Sequence, residues 1–158
     1  MKMAPTLTDP AVVEFLRRNH RVFLFGRDQQ RRPVGYAMRS IDYRGGQLFF
    51  ATYAKSAKVG HFLADPEAAC LVVGEHSGDD QAPWISVRGR AEIRFPTTEE
   101  VDMMIGSSSP DARVPDSVTA KVRDRLLSGK RTFICIAIDD VVAAGLEADH
   151  RARDFDAK

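Results

Sequence analysis

The sequence predicts a mainly-β protein, an antiparallel barrel with helical decorations. Three observations carry this. Five short apolar or aromatic runs precede residue 96, and most are separated by hairpin-type turn signals. A sixth such run returns after a helical excursion. No regular alternation of strand and helix appears, which argues against a doubly wound parallel sheet.

The elements follow in order. Asp9 can cap a first helix, Pro10 suits its first turn, and Val12, Phe15 and Leu16 recur at helical spacing up to about Asn19. Arg21–Phe25 (RVFLF) reads as a strand, the polar stretch Arg27–Pro33 as a hairpin turn, and Val34–Ile41 as a second strand. Gly45-Gly46 is a turn signal before a third strand, Gln47–Tyr53. Ser56–Ala64 reads as a short helix with Val59, Phe62 and Leu63 as its apolar stripe, stopped by Pro66. Ala68–Val73 is a fourth strand, and His76–Pro83 is a turn by composition.

Trp84–Phe95 is a long fifth strand. Ile85, Val87, Gly89, Ala91 and Ile93 alternate with Ser86, Arg88, Arg90, Glu92 and Arg94, which predicts one buried and one polar face. Thr97 and Glu100 form a capping box, so a helix starts there and carries Val101, Met104 and Ile105. Ser107–Asp116 is loop. Ser117–Leu127 is a helix with Val118, Val122 and Leu126 on one side, ended by Gly129. Thr132–Ile138 is apolar on both faces and is therefore expected at the centre of the sheet. The charged tail after Glu147 is expected to fray.

Composition narrows the function classes. The chain has 158 residues, one domain on the size prior and enough to bury a core. Its 23 Lys+Arg nearly cancel 22 Asp+Glu, leaving +1, so overall charge makes no case for nucleic acid or an anionic membrane surface. No apolar run approaches the roughly 18 residues of a membrane span, and the N-terminal residues show no secretory pattern. Cys70 and Cys135 lie within apolar runs and read as reduced, buried thiols. Together these readings point to the cytoplasm.

The stretch TYAKSAKVGHFLADP, residues 52–66, carries the clearest chemistry. A strand ends, Ser56 takes the N-cap position, and Lys58 falls in the first helical turn. Free N–H groups and the helix dipole favour an anion there, and a lysine in that turn makes sense if its ammonium meets a phosphate. Arg39 and Thr52 can reach the same spot from adjacent strands. The competing reading makes Lys55 and Lys58 solvated helix-end charges, and local spacing leaves both open.

The ordered segments VVEFLRRNHRVFLFG, VGYAMRS, GGQLFFATYAKSAKVGHFLADP, AACLVV and ISVRGRAEI widen the pattern. Taken together, over Ala11 to Arg94, the chain resembles the pyridoxamine-phosphate-oxidase-like flavin-binding split barrels, a superfamily that includes deazaflavin-dependent reductases. The resemblance implies a six-stranded antiparallel split β-barrel with short flanking helices, acting as a homodimer with two flavin sites at its interface. It implies FMN as cofactor, with a deazaflavin coenzyme or haem as alternatives, and an oxidoreductase acting on a small organic substrate.

By the same resemblance, Lys58 is the main phosphate cation, with Ser56 and Thr52 as hydroxyl or backbone donors and Ala51 and Ala57 beside them. Arg39 and Ser40 match the segment under the ring and ribityl chain, and Tyr36 and Ala37 precede them on that strand. Trp84 falls where a residue from the neighbouring protomer meets the flavin. Two departures matter. The family often has a basic residue immediately before the lysine, where this chain has Ala57; Lys55 is the nearest substitute. The terminal HRARDFDAK lacks the Arg-x-His-type segment that contacts a pyridoxal substrate, which speaks against vitamin B6 oxidation.

Other signals are weaker. His20, His61, His76 and His150 are scattered and no cysteine stands at metal-ligand spacing from them, so no metal site is expected. His61 can line the cofactor mouth or sit on the helix surface, and His150 is the candidate haem ligand. No G-x-S-x-G element, P-loop or dinucleotide fingerprint is present. Arg17, Arg18, Arg21, Arg27, Arg31 and Arg32 read as a solvated basic rim, which could still attract an acidic cofactor tail. No catalytic acid or base is assigned, because a flavin carries the hydride chemistry itself.

Overall fold

Asp9 opens the first helix as its side chain implies, accepting from the Ala11 N–H at 2.9 Å, and Pro10 occupies the first helical position of α1 (Pro10–Arg18). The computed structural model describes residues 5–74, 82–106 and 116–146. Most of the turn over residues 76–83 and of the loop over 107–116, and the charged tail after Glu147, lie outside the described residues, as do His76 and His150. Among the described residues seven strands follow α1: β1 (Arg21–Arg27), β2 (Pro33–Arg39), β3 (Asp42–Arg44), β4 (Gln47–Tyr53), β5 (Glu67–Val73), β6 (Trp84–Arg94) and β7 (Arg131–Gly145). Helix α2 (Ala57–Ala64) follows β4, and α3 (Thr98–Gly106) and α4 (Asp116–Leu127) lie between β6 and β7.

The strands form one sheet, ordered β2-β1-β5-β6-β7-β4-β3, with every pairing antiparallel. The two outermost strands, β2 and β3, are consecutive in sequence and only Ser40 and Ile41 separate them. The Ser40 N–H donates to the His20 carbonyl at 2.8 Å, beside β1, while the Ile41 N–H donates to the Phe49 carbonyl at 2.7 Å, on β4. One dipeptide thus bonds to both ends of the sheet and rolls it into a barrel. This corrects the six-strand count. The second strand stops at Arg39, the chain changes partner at Ser40, and its continuation pairs with β4 as β3 through the Gly45-Gly46 turn, at φ of 58° and 77°.

The predicted alternation is realised. Ile85 and Val87 of β6 face inward with Val22 and Leu24 of β1, Cys70 and Val72 of β5, Leu48 and Phe50 of β4, and Ile134 and Ile136 of β7. Val12 and Leu16 of α1 join the same core. Each large side chain so buried is worth roughly 1.5–3 kcal/mol. Strand β7 runs on to Gly145, past the Ile138 end expected from its apolar run, because two register shifts let it follow the whole of β6. At one shift Gly89 is required: a Cβ there would sit 2.1 Å from the Ala137 carbonyl oxygen.

A second core lies on the opposite face of β4 and β7. Phe49, Phe133 and Cys135 pack there under Val101 and Met104 of α3 and Leu126 of α4. β7 is therefore buried on both faces, as its unbroken apolar run predicted. The capping box that starts α3 forms, with the Glu100 N–H donating to Thr97 Oγ1 at 3.2 Å and the Thr97 N–H to Glu100 Oε1 at 3.4 Å.

Candidate functional site

Alternation along β4 sends Leu48, Phe50 and Thr52 one way and Phe49, Ala51 and Tyr53 the other. The outward set meets Arg131 and Phe133 of β7, in the register Tyr53 to Arg131 and Ala51 to Phe133. This face is the floor of a cavity of about 490 Å³. One wall is the crossover between β2 and β3, with Ala37, Met38, Arg39, Ser40 and Ile41; His20 lines it as well. The other wall is apolar: Val101 and Met104 from α3, and Val118, Val122 and Leu126 from α4. Lys58 and Thr52 complete the lining at the start of α2.

The charge is one-sided. Among the described residues Arg39, Lys58 and Arg131 line the cavity, and no aspartate or glutamate does. The Lys58 ammonium donates to Thr52 Oγ1 at 3.1 Å and stands 5.7 Å from the centre of the Tyr36 ring. Among the described residues Lys58 and Arg131 make no ion pair. Ser56 takes the N-cap position of α2, but its hydroxyl makes no capping bond and lies 3.5 Å from Thr52 Oγ1 instead. The first turn of α2 therefore keeps N–H groups that its own cap side chain does not take.

Of the residues selected from sequence, Ala37, Arg39, Ser40, Ala51, Thr52 and Lys58 come together on this cavity. Ser56 stands beside Thr52. Ala57 and Tyr36 are not in the lining. The Tyr36 hydroxyl bonds to His61 Nδ1 at 2.6 Å, so its ring serves as a platform beside Lys58. Burial raises the Tyr36 phenol above its ordinary value, and the charge of Asp28 adds to this. His61 is thus a partner of Tyr36 on α2. Trp84 begins β6 opposite Gly145 and is not in the lining of this cavity. Lys55 is exposed and does not line the cavity either. Arg17, Arg18, Arg21, Arg27, Arg31 and Arg32 are all exposed, as a solvated rim would be.

Sequence reasoning missed several lining residues. His20 is buried, and its Nδ1–H donates to the Ser40 carbonyl at 3.0 Å, pinning the crossover wall; its Nε2 has no partner among the described residues. Arg131 lies 4.6 Å from the Tyr53 ring, and Arg125 donates to the Tyr53 hydroxyl at 3.2 Å. Polar contact from Arg131 and the charge of Arg125 hold the Tyr53 phenol below its ordinary value. The available signal was an arginine opening the most apolar strand, two residues after the Gly129 helix stop. Val122 and Leu126 were legible as an apolar helix face, not as a cavity wall. Among the described residues no group of three or more His, Cys, Asp or Glu side chains could hold a metal ion. The arrangement suits a ligand with an apolar body and an anionic end.

Comparison with known proteins agrees on the fold. The conserved hypothetical protein Rv2991 from Mycobacterium tuberculosis superposes with a TM-score of 0.69 at 18% identity, covering 91% of this chain and 88% of its own. HutZ, the haem storage protein from Vibrio cholerae, gives 0.68 at 11% identity, over 90% of this chain and 98% of its own. A protein described as an F420 reductase gives 0.55 at 19% identity, over 81% and 93%. No curated protein matches. The pyridoxamine 5'-phosphate oxidase family profile matches residues 8–143, nearly the whole barrel together with α3 and α4, and this chain belongs to that family.

Proposed function

We propose that this protein is a cytoplasmic, homodimeric oxidoreductase that binds FMN and transfers hydride or electrons to or from a small organic substrate. The observation that carries this reading is the polarity of the cavity. Its cationic end is Lys58 with Thr52, beside the uncapped start of α2, and an apolar floor and wall lie beyond it. A phosphate-bearing planar ring fits that division. The flavin, when bound, supplies the redox chemistry. The chain's own part is to neutralise the phosphate with Lys58, to orient the ring against the crossover wall held by His20 and Ser40, and to keep water from it with the side chains of α3 and α4.

The homodimer is supported by Trp84 and Val142, exposed at 37% and 47% on neighbouring strands, which offer apolar surface to a second copy. Two free, buried cysteines suit a reducing compartment. No described helix is long and apolar enough to cross a membrane. A second reading, a deazaflavin coenzyme in the same cavity, is favoured by the exposed arginine rim, which would suit an acidic cofactor tail; a haem carrier without turnover is the third.

The test is a titration of purified protein with FMN, FAD, a deazaflavin coenzyme and haem, followed by fluorescence and visible absorption. FMN is expected to bind most tightly. Lys58→Ala should weaken it by about 1.5–3 kcal/mol, the range for a hydrogen bond to a charged group. Unchanged affinity in a folded variant overturns the phosphate assignment, and a Soret band with no flavin binding selects the haem reading.

A further inference from the structure

We propose that Arg131 is the second cation of the anion end, so that one phosphate group is held between Lys58 from α2 and Arg131 from β7. This rests on the anion-end reading above and extends it to a residue outside the strand-to-helix motif. The position directly before Lys58 carries no cation, because Ala57 stands there. Lys55, the nearest alternative in sequence, is exposed and does not line the cavity. Arg131 does line it, and its Nε is shielded from water with no acceptor among the described residues. A buried donor left open in this way is costly, and an incoming anion would satisfy it.

The guanidinium is also held in place. Its carbon lies 4.6 Å from the Tyr53 ring centre, and Arg125 donates to the Tyr53 hydroxyl at 3.2 Å, so the ring that supports Arg131 is itself anchored to α4. β-pairing fixes the rest. Tyr53 and Arg131 are register partners at the very end of β4, next to Thr52, which receives the Lys58 ammonium. A guanidinium presents paired donors to phosphate oxygens where an ammonium acts as a point charge, so the two cations are complementary.

The experiment has two arms. In the first, FMN and riboflavin, which lacks the phosphate, are titrated into the wild type, Arg131→Ala, Arg131→Lys and Lys55→Ala, with folding checked by circular dichroism. Arg131→Ala should lose about tenfold or more in FMN affinity with riboflavin affinity unchanged. Arg131→Lys should recover part of that loss, and Lys55→Ala should behave as wild type. In the second arm, inorganic phosphate is titrated while the arginine Nε–H signals are followed by NMR, Arg131 being assigned by its loss in Arg131→Lys. A saturable shift of that signal is expected, weakened in Lys58→Ala.

The outcomes separate the two readings. Phosphate moving the Arg131 signal without any flavin binding keeps this inference and overturns FMN as cofactor. FMN binding that depends on Lys58 but leaves Arg131 unmoved, or a wild-type FMN preference in Arg131→Ala, overturns this inference alone. No response to either ligand overturns both.

Discussion

β7 has two faces, and each carries a cysteine-bearing core of a different kind. The inner core, with Cys70 of β5, is walled by the rolled sheet on nearly every side and plugged by α1. The outer core, with Cys135 of β7 itself, is covered by α3 and α4, and its edge opens into the cavity. Burial pushes the Cys70 thiol up to about 12. Burial also raises Cys135, but the nearby Arg94 guanidinium opposes it. One strand therefore serves closed packing on one side and binding on the other. Barrel closure gives rigidity through non-local sheet pairing, whereas a helical flap gives a wall that local motions can open.

The comparison is broken most severely from the inside. Phe50→Ala removes a fully buried ring from the closed core and should cost about 3–5 kcal/mol, read from denaturant midpoints; a loss no larger than that at the outer core would sink the distinction. Leu126→Ala should cost about 2 kcal/mol, the low end for such truncations, since its neighbourhood already borders open space. Unlike Phe50→Ala it should also change cofactor affinity in the folded protein, by enlarging the apolar wall.

A smaller effect tests how α3 is fastened. Glu100 bonds to Arg94 and to Thr97, and the Arg94 bond is the main reason its carboxyl sits below the ordinary range. A depressed carboxylate contributes stability above its unfolded pKa and loses it as pH falls through its folded pKa. Glu100→Gln should therefore cost about 0.5–1 kcal/mol at neutral pH, with the difference from wild type vanishing on acidification. A difference that persisted in acid would mean the cap matters and the charge does not. The finest test is kinetic: a thiol reagent should modify Cys135 before Cys70, and a ligand in the cavity should slow Cys135 alone. Equal rates for the two would show that both cores open only with global unfolding.

Much of the fold was legible because it is written locally. Alternation in β6, the two-faced run of β7, the Gly45-Gly46 turn and the Thr97–Glu100 box each depend on residues within one or two turns of one another. The Ser40 partner change was not, because it depends on which distant strands lie on either side. Of the candidate site, the α2 turn with Lys58 could be read from its spacing, and Thr52 and Arg39 followed as strand residues able to reach it. The pairing of the Tyr36 hydroxyl with His61, and of its ring with Lys58, joins residues far apart in sequence and had no local signal.

By itself, then, the sequence determined the strand periodicities, the helix caps, the buried thiols and the presence of a cation in a helix's first turn. All are set by short-range sterics, hydrogen bonding and the burial of apolar side chains. Only the tertiary structure decided that Arg131 stands beside Tyr53, that His20 pins Ser40, and that α3 and α4 supply an apolar wall. Those placements follow from strand register and barrel closure, in which residues far apart in sequence become neighbours. No local spacing rule encodes such neighbours.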